Sequence, residues 1–169
     1  MATEYTRDFV GPIPALIAAT DPANLRTWPI RDRRPLKQWG SGRATIIGDA
    51  AHPTSPYAAY GAGMAVEDGY FLGRRLAGVD LADHQQVRTA LDEFEAPRRP
   101  HTARQSQTAF VLGKVSHYTP KPLRPLRDAM LNHTPLLQKA VGEATPGEIL
   151  DQIAEVDRAE AAFTTRPIS

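Results

Sequence analysis

The residues able to do chemistry gather in one stretch, 42–69, reading GRATIIGDAAHPTSPYAAYGAGMAVEDG. Asp49 follows the β-branched run 43–47, at the C-terminal end of a strand by pattern. Open α/β sheets place ligand contacts at such strand ends, and a carboxylate there can accept hydrogen bonds from sugar-like hydroxyls. Gly61 and Gly63 open a helix, whose unpaired N–H groups form a site for negative charge. Glycine also lets a flat ligand come close to the backbone. Each feature has a plainer reading when taken singly. An Asp before a loop is most often a turn or cap residue. The segment 61–66 lacks the third glycine of a dinucleotide fingerprint, Gly40-Ser41-Gly42 precedes its strand, and there is no P-loop.

Other candidates are weaker. His52 has no visible base–orienter partner and reads as structural. His84, His101, His117 and His133 are isolated and read as surface or helix residues. Glu67 and Asp68 fall early in a helix, where acids suit the dipole, and read as structural. The absence of cysteine removes disulfides, thiolate metal sites and cysteine nucleophiles together, and no metal site is expected.

The elements that must position these residues follow from periodicity and punctuation. A short helix is expected over 12–19, an edge strand over 25–30 interrupted by Pro29, and a buried strand over 43–47. A helix follows over 61–77, with small residues at 62, 65, 69 and 73 permitting close approach of another backbone. Residues 83–96 form a second helix with Val87, Leu91 and Phe94 as its core stripe. Pro97 and Pro100 are expected to break or restart it, with a further helix to about residue 114. Short helices are expected over 121–131 and 134–141. A capped helix over 146–155 has Thr145 as N-cap and Glu148 at N3, and 159–169 is a loose tail. The fold class is α+β and mostly helical. A lone buried strand cannot satisfy its backbone groups, so the missing strands must come from elsewhere.

Composition narrows the function classes. The 169 residues carry a net charge of +1, with 41% hydrophobic and 23% charged residues, which suits one globular domain with or without a tail. Basic pairs are scattered among acids, so neither a nucleic-acid stripe nor a membrane-binding surface is expected; a salt-dependent DNA shift would revive a DNA-binding alternative. No secretory h-region or run of about 20 apolar residues occurs, and the expected location is cytoplasmic.

Read as one string, Gly48-Asp49-Ala50-Ala51-His52-Pro53, then Pro56, Gly61 and Glu67-Asp68, resembles the GD motif of the class A FAD-dependent monooxygenases, the para-hydroxybenzoate hydroxylase-like group. The resemblance covers about residues 10–115. It takes in Trp28-Pro29-Ile30-Arg31-Asp32-Arg33, Pro35-Leu36 and Trp39 before the motif, and 93–100 (EFEAPRRP) after it. It implies the C-terminal portion of an α/β FAD-binding fold of the Rossmann-like, glutathione-reductase type, with one core strand followed by long helices. Residues 1–41 would then end the substrate-domain sheet and link onward. Residues 42–117 would carry the GD-motif segment, and 118–169 a helical extension.

The resemblance implies that Gly48 and Asp49 serve the ribityl chain of FAD, with Asp49 bonding its hydroxyls. Pro56 would lie near the isoalloxazine ring, and backbone N–H groups around Gly61, Ala62 and Gly63 would face its N1–C2=O edge. NAD(P)H would be the reductant and a small organic molecule the substrate, hydroxylated or epoxidised. The family often has Gly, Gln and Asn where this chain has Ala59, Tyr60 and Gly63. Ala59 would constrain the loop, and Tyr60 would stack near either the ring or the substrate. The family's Gly-x-Gly-x-x-Gly segment and its middle FAD/NAD(P)H motif do not occur in these residues. The resemblance therefore implies roughly 200 further residues upstream, and the expected partner is an N-terminal FAD/ADP-binding half or a second copy of the chain. The alternative is a non-catalytic remnant or interaction module of the same family.

Overall fold

The computed structural model describes residues 9–31, 33–135, 138 and 144–164. The chain divides into two compact units, Met1–Ile30 and Arg31–Ser169.

In the first unit, Pro12 leads into helix α1, Ile13–Ala19. Thr20 ends it, its hydroxyl donating to the Leu16 carbonyl at 2.7 Å. The expected edge strand over 25–30 does not form: those residues enter no ladder, and Trp28 is exposed. Pro29 has no N–H to contribute to one.

The second unit is helical. The expected core strand over 43–47 is likewise absent; only an isolated antiparallel bridge joins Ser41 and Ala44, around Gly42 at φ +57°. Ile46 is half-buried and Ile47 is exposed, so the run is not a buried one. A strand exists only beside another, and no strand forms among the described residues to accept it.

Helix α2 is Gly61–Leu76, and its inner face carries Met64, Asp68 and Phe71. Arg74 and Arg75 sit in its last turn, where cations suit the dipole. Helix α3, His84–Tyr118, begins at Asp83, whose carboxylate accepts from the backbone N–H groups of Gln85 and Gln86. It runs unbroken through Pro97 and Pro100, against expectation. Interior prolines cost about 3 kcal/mol each. The buried stripe supplies the offset: Val87, Leu91 and Phe94 continue as Arg98, His101, Gln105 and Ala109 on the same face. Breaking the helix at either proline would pull Arg98 and His101 out of the interior.

A short turn, Lys121–Leu123, leads into α4, Arg124–His133. Much of the expected helix 134–141 lies outside the described residues. Helix α5, Ala144–Thr164, begins before Thr145, so Thr145 is not its N-cap, and it continues through 159–164, where a loose tail was expected. Residues 165–169 lie outside the described residues. The apolar core joins Trp39, Ala51, Phe71, Phe94 and Val156, with Ile149 and Ile153 of α5 packed against it. No helix of the described residues is long and apolar enough to cross a membrane.

Candidate functional site

The site is built on a tight turn, Gly48–Ala50. Gly48 has φ +57°, and a Cβ on it would meet the Ala65 Cβ at 3.2 Å, so backbone conformation and helix contact both call for glycine. Its carbonyl accepts from the N–H groups of Ala51 and His52, at 2.9 and 2.8 Å. Its own N–H donates to Asp68 at 2.9 Å. The turn leaves Asp49 exposed on a cleft of about 520 Å³, which Thr54, Ser55, Pro56, Ala59, Tyr60, Gly61, Ala62 and Ala65 also line.

Helix α2 opens onto this cleft. Its first backbone bond runs from Met64 N–H to the Tyr60 carbonyl, and Tyr60 offers no side-chain cap. The N–H groups of Gly61, Ala62 and Gly63 therefore have no helical acceptor. A Cβ at Gly61 would meet nothing within 4 Å. These donors, the adjacent carboxylate and the open cleft fit a ligand with hydroxyls at one end and an electron-rich edge at the other.

The structure brings five of the six sequence-predicted cofactor residues together: Asp49, Pro56, Gly61 and Ala62 line the cleft, and Gly48 shapes the turn behind Asp49. Gly63 has a different neighbour. A Cβ there would lie 2.7 Å from Cε2 of Tyr60, so the tyrosine ring occupies the space that a side chain at 63 would need. Tyr60 and Gly63, two positions where the resemblance implied a departure, are thus linked by steric contact. Ala59, the third such position, has φ +52°, a left-handed conformation that favours glycine.

Behind the turn lies a buried polar seam that sequence reading did not anticipate. Asp68 is fully buried and accepts from Gly48 N–H, from His52 Nε2 at 2.6 Å and from Arg98 Nε at 2.9 Å. Arg98, also fully buried, donates further to Glu67 at 2.8 Å, to Gln152 at 3.2 Å and to the Met64 carbonyl at 3.3 Å. Its guanidinium stands over the Phe71 ring. His101, expected as a surface or helix residue, lies on α3 but is fully buried, with Nδ1 2.8 Å from Glu148 and Nε2 3.6 Å from Glu67. Tyr60 donates its hydroxyl to Glu67, so the seam reaches the cleft wall. His52 packs against Trp39 and points at Asp68, not into the cleft.

The seam sets its own protonation. Burial pushes the Asp68 carboxyl up, but the bonds from His52, Gly48 and Arg98 together hold it below the ordinary carboxylate range. Burial raises Glu67, and Arg98 only partly opposes it. Burial lowers His101 despite its bond to Glu148. A sequence signal for the seam existed: Asp68 and Arg98 each occupy a core-stripe position, between Met64 and Phe71 and after Phe94. Among the described residues, no group of three or more potential ligands is placed to hold a metal.

The chain is similar to known proteins in sequence and in fold. The family described as "FAD binding domain" matches residues 13–109. A 3-hydroxybenzoate 6-hydroxylase from Klebsiella oxytoca is 41% identical over 96 residues, which cover 57% of this chain and 23% of that protein. A salicylate hydroxylase from Pseudomonas putida is 38% identical over 88 residues, covering 52% of this chain and 20% of the relative. The chain thus spans about a quarter or less of the length of these relatives. Among solved structures, HpxO from Klebsiella pneumoniae, complexed with FAD and uric acid, matches with a TM-score of 0.65 at 24% identity, over 91% of this chain and 36% of that one. At that identity the likeness is one of fold.

Proposed function

Since the chain belongs to the FAD-binding domain family, we propose that it supplies the ribityl- and ring-facing side of an FAD site in a flavin-dependent monooxygenase. The observation that carries this reading is the convergence of Asp49, Pro56 and the uncapped N-terminus of α2 on one cleft. Asp49 accepts hydrogen bonds from the ribityl hydroxyls. Gly48 holds the turn that presents it. The free N–H groups of Gly61, Ala62 and Gly63 face the flavin edge that becomes negative on reduction, a helix-terminus effect of about 0.3–2 kcal/mol. Pro56 closes the cleft beside the ring. Bound FAD would supply the electron-transfer and oxygen chemistry; the chain contributes orientation and electrostatics.

NAD(P)H would reduce the complete enzyme, and a small organic molecule would be hydroxylated or epoxidised. Residues 42–117 form the segment that serves the cofactor. Residues 1–41 would end the substrate-domain sheet, and 118–169 extend the helical part. The ADP half of the cofactor would be held by an N-terminal half, since these residues, and therefore a second copy of them, carry no Gly-x-Gly-x-x-Gly. The run 43–47, unpaired here, would add to a sheet from that half.

The test is visible absorption after FAD addition and desalting. It is run on the chain alone and on the chain mixed with the N-terminal part of a relative such as salicylate hydroxylase. Flavin absorbance retained in either sample is the expected result. Two colourless samples would overturn the proposal and favour a non-catalytic interaction module.

A further inference from the structure

A second opening of about 530 Å³ is lined by Arg33, Arg34, Pro35, Ser106, Phe110 and Lys114 among others. Its volume falls within the range of small-molecule sites. It adjoins the cleft directly: Thr54 lines the cleft, Ser106 lines this groove, and their hydroxyl oxygens are 2.6 Å apart. Arg33 ties the groove to the Gly48–Ala50 turn by donating to the Ala50 carbonyl.

The charge pattern sets the groove apart. Arg74, Arg75, Arg88, Arg98, Arg104 and Arg127 each lie within 3.4 Å of a carboxylate. No carboxylate among the described residues lines the groove. Among the described residues, Arg33 bonds only to a carbonyl, leaving other guanidinium donors available, and Arg34 and Lys114 have no ion-pair partner. Lys114 is held over the Phe110 ring at 4.5 Å, so its charge stands beside an apolar wall. Three exposed cations thus line one groove, and an anion entering it could share their donors.

From this juxtaposition we infer that the groove is an anion site for a ring-bearing molecule. The oxyanion would be taken by Arg33, Arg34 and Lys114 and the ring would lie along Phe110. Carboxylate and phosphate satisfy the same donors. The occupant is an aromatic carboxylate or a nucleotide phosphate, and separate probes tell the two apart. The site depends only on the groove's own side chains, so it stands or falls separately from FAD binding, which the desalting experiment reads.

The test is titration of the purified full chain with para-fluorobenzoate, followed by fluorine NMR, and with ADP, followed by phosphorus NMR. Para-fluorobenzyl alcohol is the neutral control. The double variant Arg34→Gln/Lys114→Gln removes two exposed cations, and Lys121→Gln removes one outside the groove. The expected result is binding of at least one anionic probe in the millimolar range, weakened at least about tenfold in the double variant. Lys121→Gln should leave it unchanged, and added salt should weaken it. Loss confined to para-fluorobenzoate identifies an aromatic acid as the occupant, and loss confined to ADP identifies a nucleotide phosphate. Failure of both anions to bind in that range, or equal binding by parent and double variant, would overturn the site.

Discussion

The two sides of the 48–56 loop are built in opposite ways. Behind it, Asp68, Arg98, His52 and Glu67 are matched to one another by hydrogen bonds in the interior. In front, Asp49 and the first N–H groups of α2 face open space. The contrast teaches how a short loop can present a polar face without collapsing onto it. The buried seam fixes Gly48 and His52 from behind, so the exposed groups need no protein partners to keep their places. Substitutions should accordingly divide into those that unfold the support and those that leave the fold but empty the cleft.

The largest effect is expected at Arg98. Arg98→Met leaves the buried Asp68 and the half-buried Glu67 without their shared cation, and breaking one side of a buried pair costs about 3–5 kcal/mol. Urea denaturation should register a loss of that size. A loss below about 1 kcal/mol would mean that the seam does not support the loop.

Next comes the coupled pair on the cleft wall. Gly63→Ala forces its Cβ against the Tyr60 ring and should cost about 1–3 kcal/mol. Adding Tyr60→Ala should recover part of that loss by a double-mutant cycle. Strict additivity would sever the two positions.

Protonation sharpens the contrast further. His101 has a lowered pKa in the fold, so the unfolded chain binds its proton first as pH falls. The resulting stability is full above about 6.5, the ordinary histidine value, and is lost as pH drops through 6.5 toward the depressed folded value. His101→Gln should flatten that stretch of a plot of urea midpoint against pH. Asp68, lowered in the fold, gives stability that is present above the ordinary carboxylate range and lost only in more acidic solution. An unchanged slope in the variant would place the titration elsewhere.

A smaller effect is expected at Ala59. Ala59→Gly removes the strain of a left-handed alanine, worth roughly 1–2 kcal/mol, against a glycine entropy cost of roughly 0.5–1 kcal/mol. A net gain of a few tenths to about 1 kcal/mol should appear as a higher midpoint. A clear loss would mean that the alanine methyl makes a contact worth more than the strain.

What the sequence disclosed divides along the same line. Local signals were legible: Pro12 before α1, the glycine opening of α2, Asp83 before α3 and the Gly48-Asp49 turn all act through neighbours a few residues away. The seam was not read because its members come from 52, 67–68, 98, 101 and 148, and only folding brings them together. Pro97 and Pro100 were misjudged for the same reason, since the tertiary partners of Arg98 and His101 override a local breaker. The run 43–47 shows the converse: β-branched residues indicate a preference for pairing but cannot supply the second strand.

The most direct test of the central claim is the FAD dissociation constant of Asp49→Ala against the parent, in whichever preparation retains flavin. Asp49 is exposed on the cleft, so its removal should change folding stability by no more than about 0.5 kcal/mol. Loss of a charge-assisted bond to ribityl hydroxyls should weaken FAD by about tenfold or more, equivalent to roughly 1.5–3 kcal/mol. An intact fold with clearly weaker FAD binding is the predicted result. Equal FAD binding by the variant and the parent would contradict the assignment of Asp49, and with it the cleft as the flavin site.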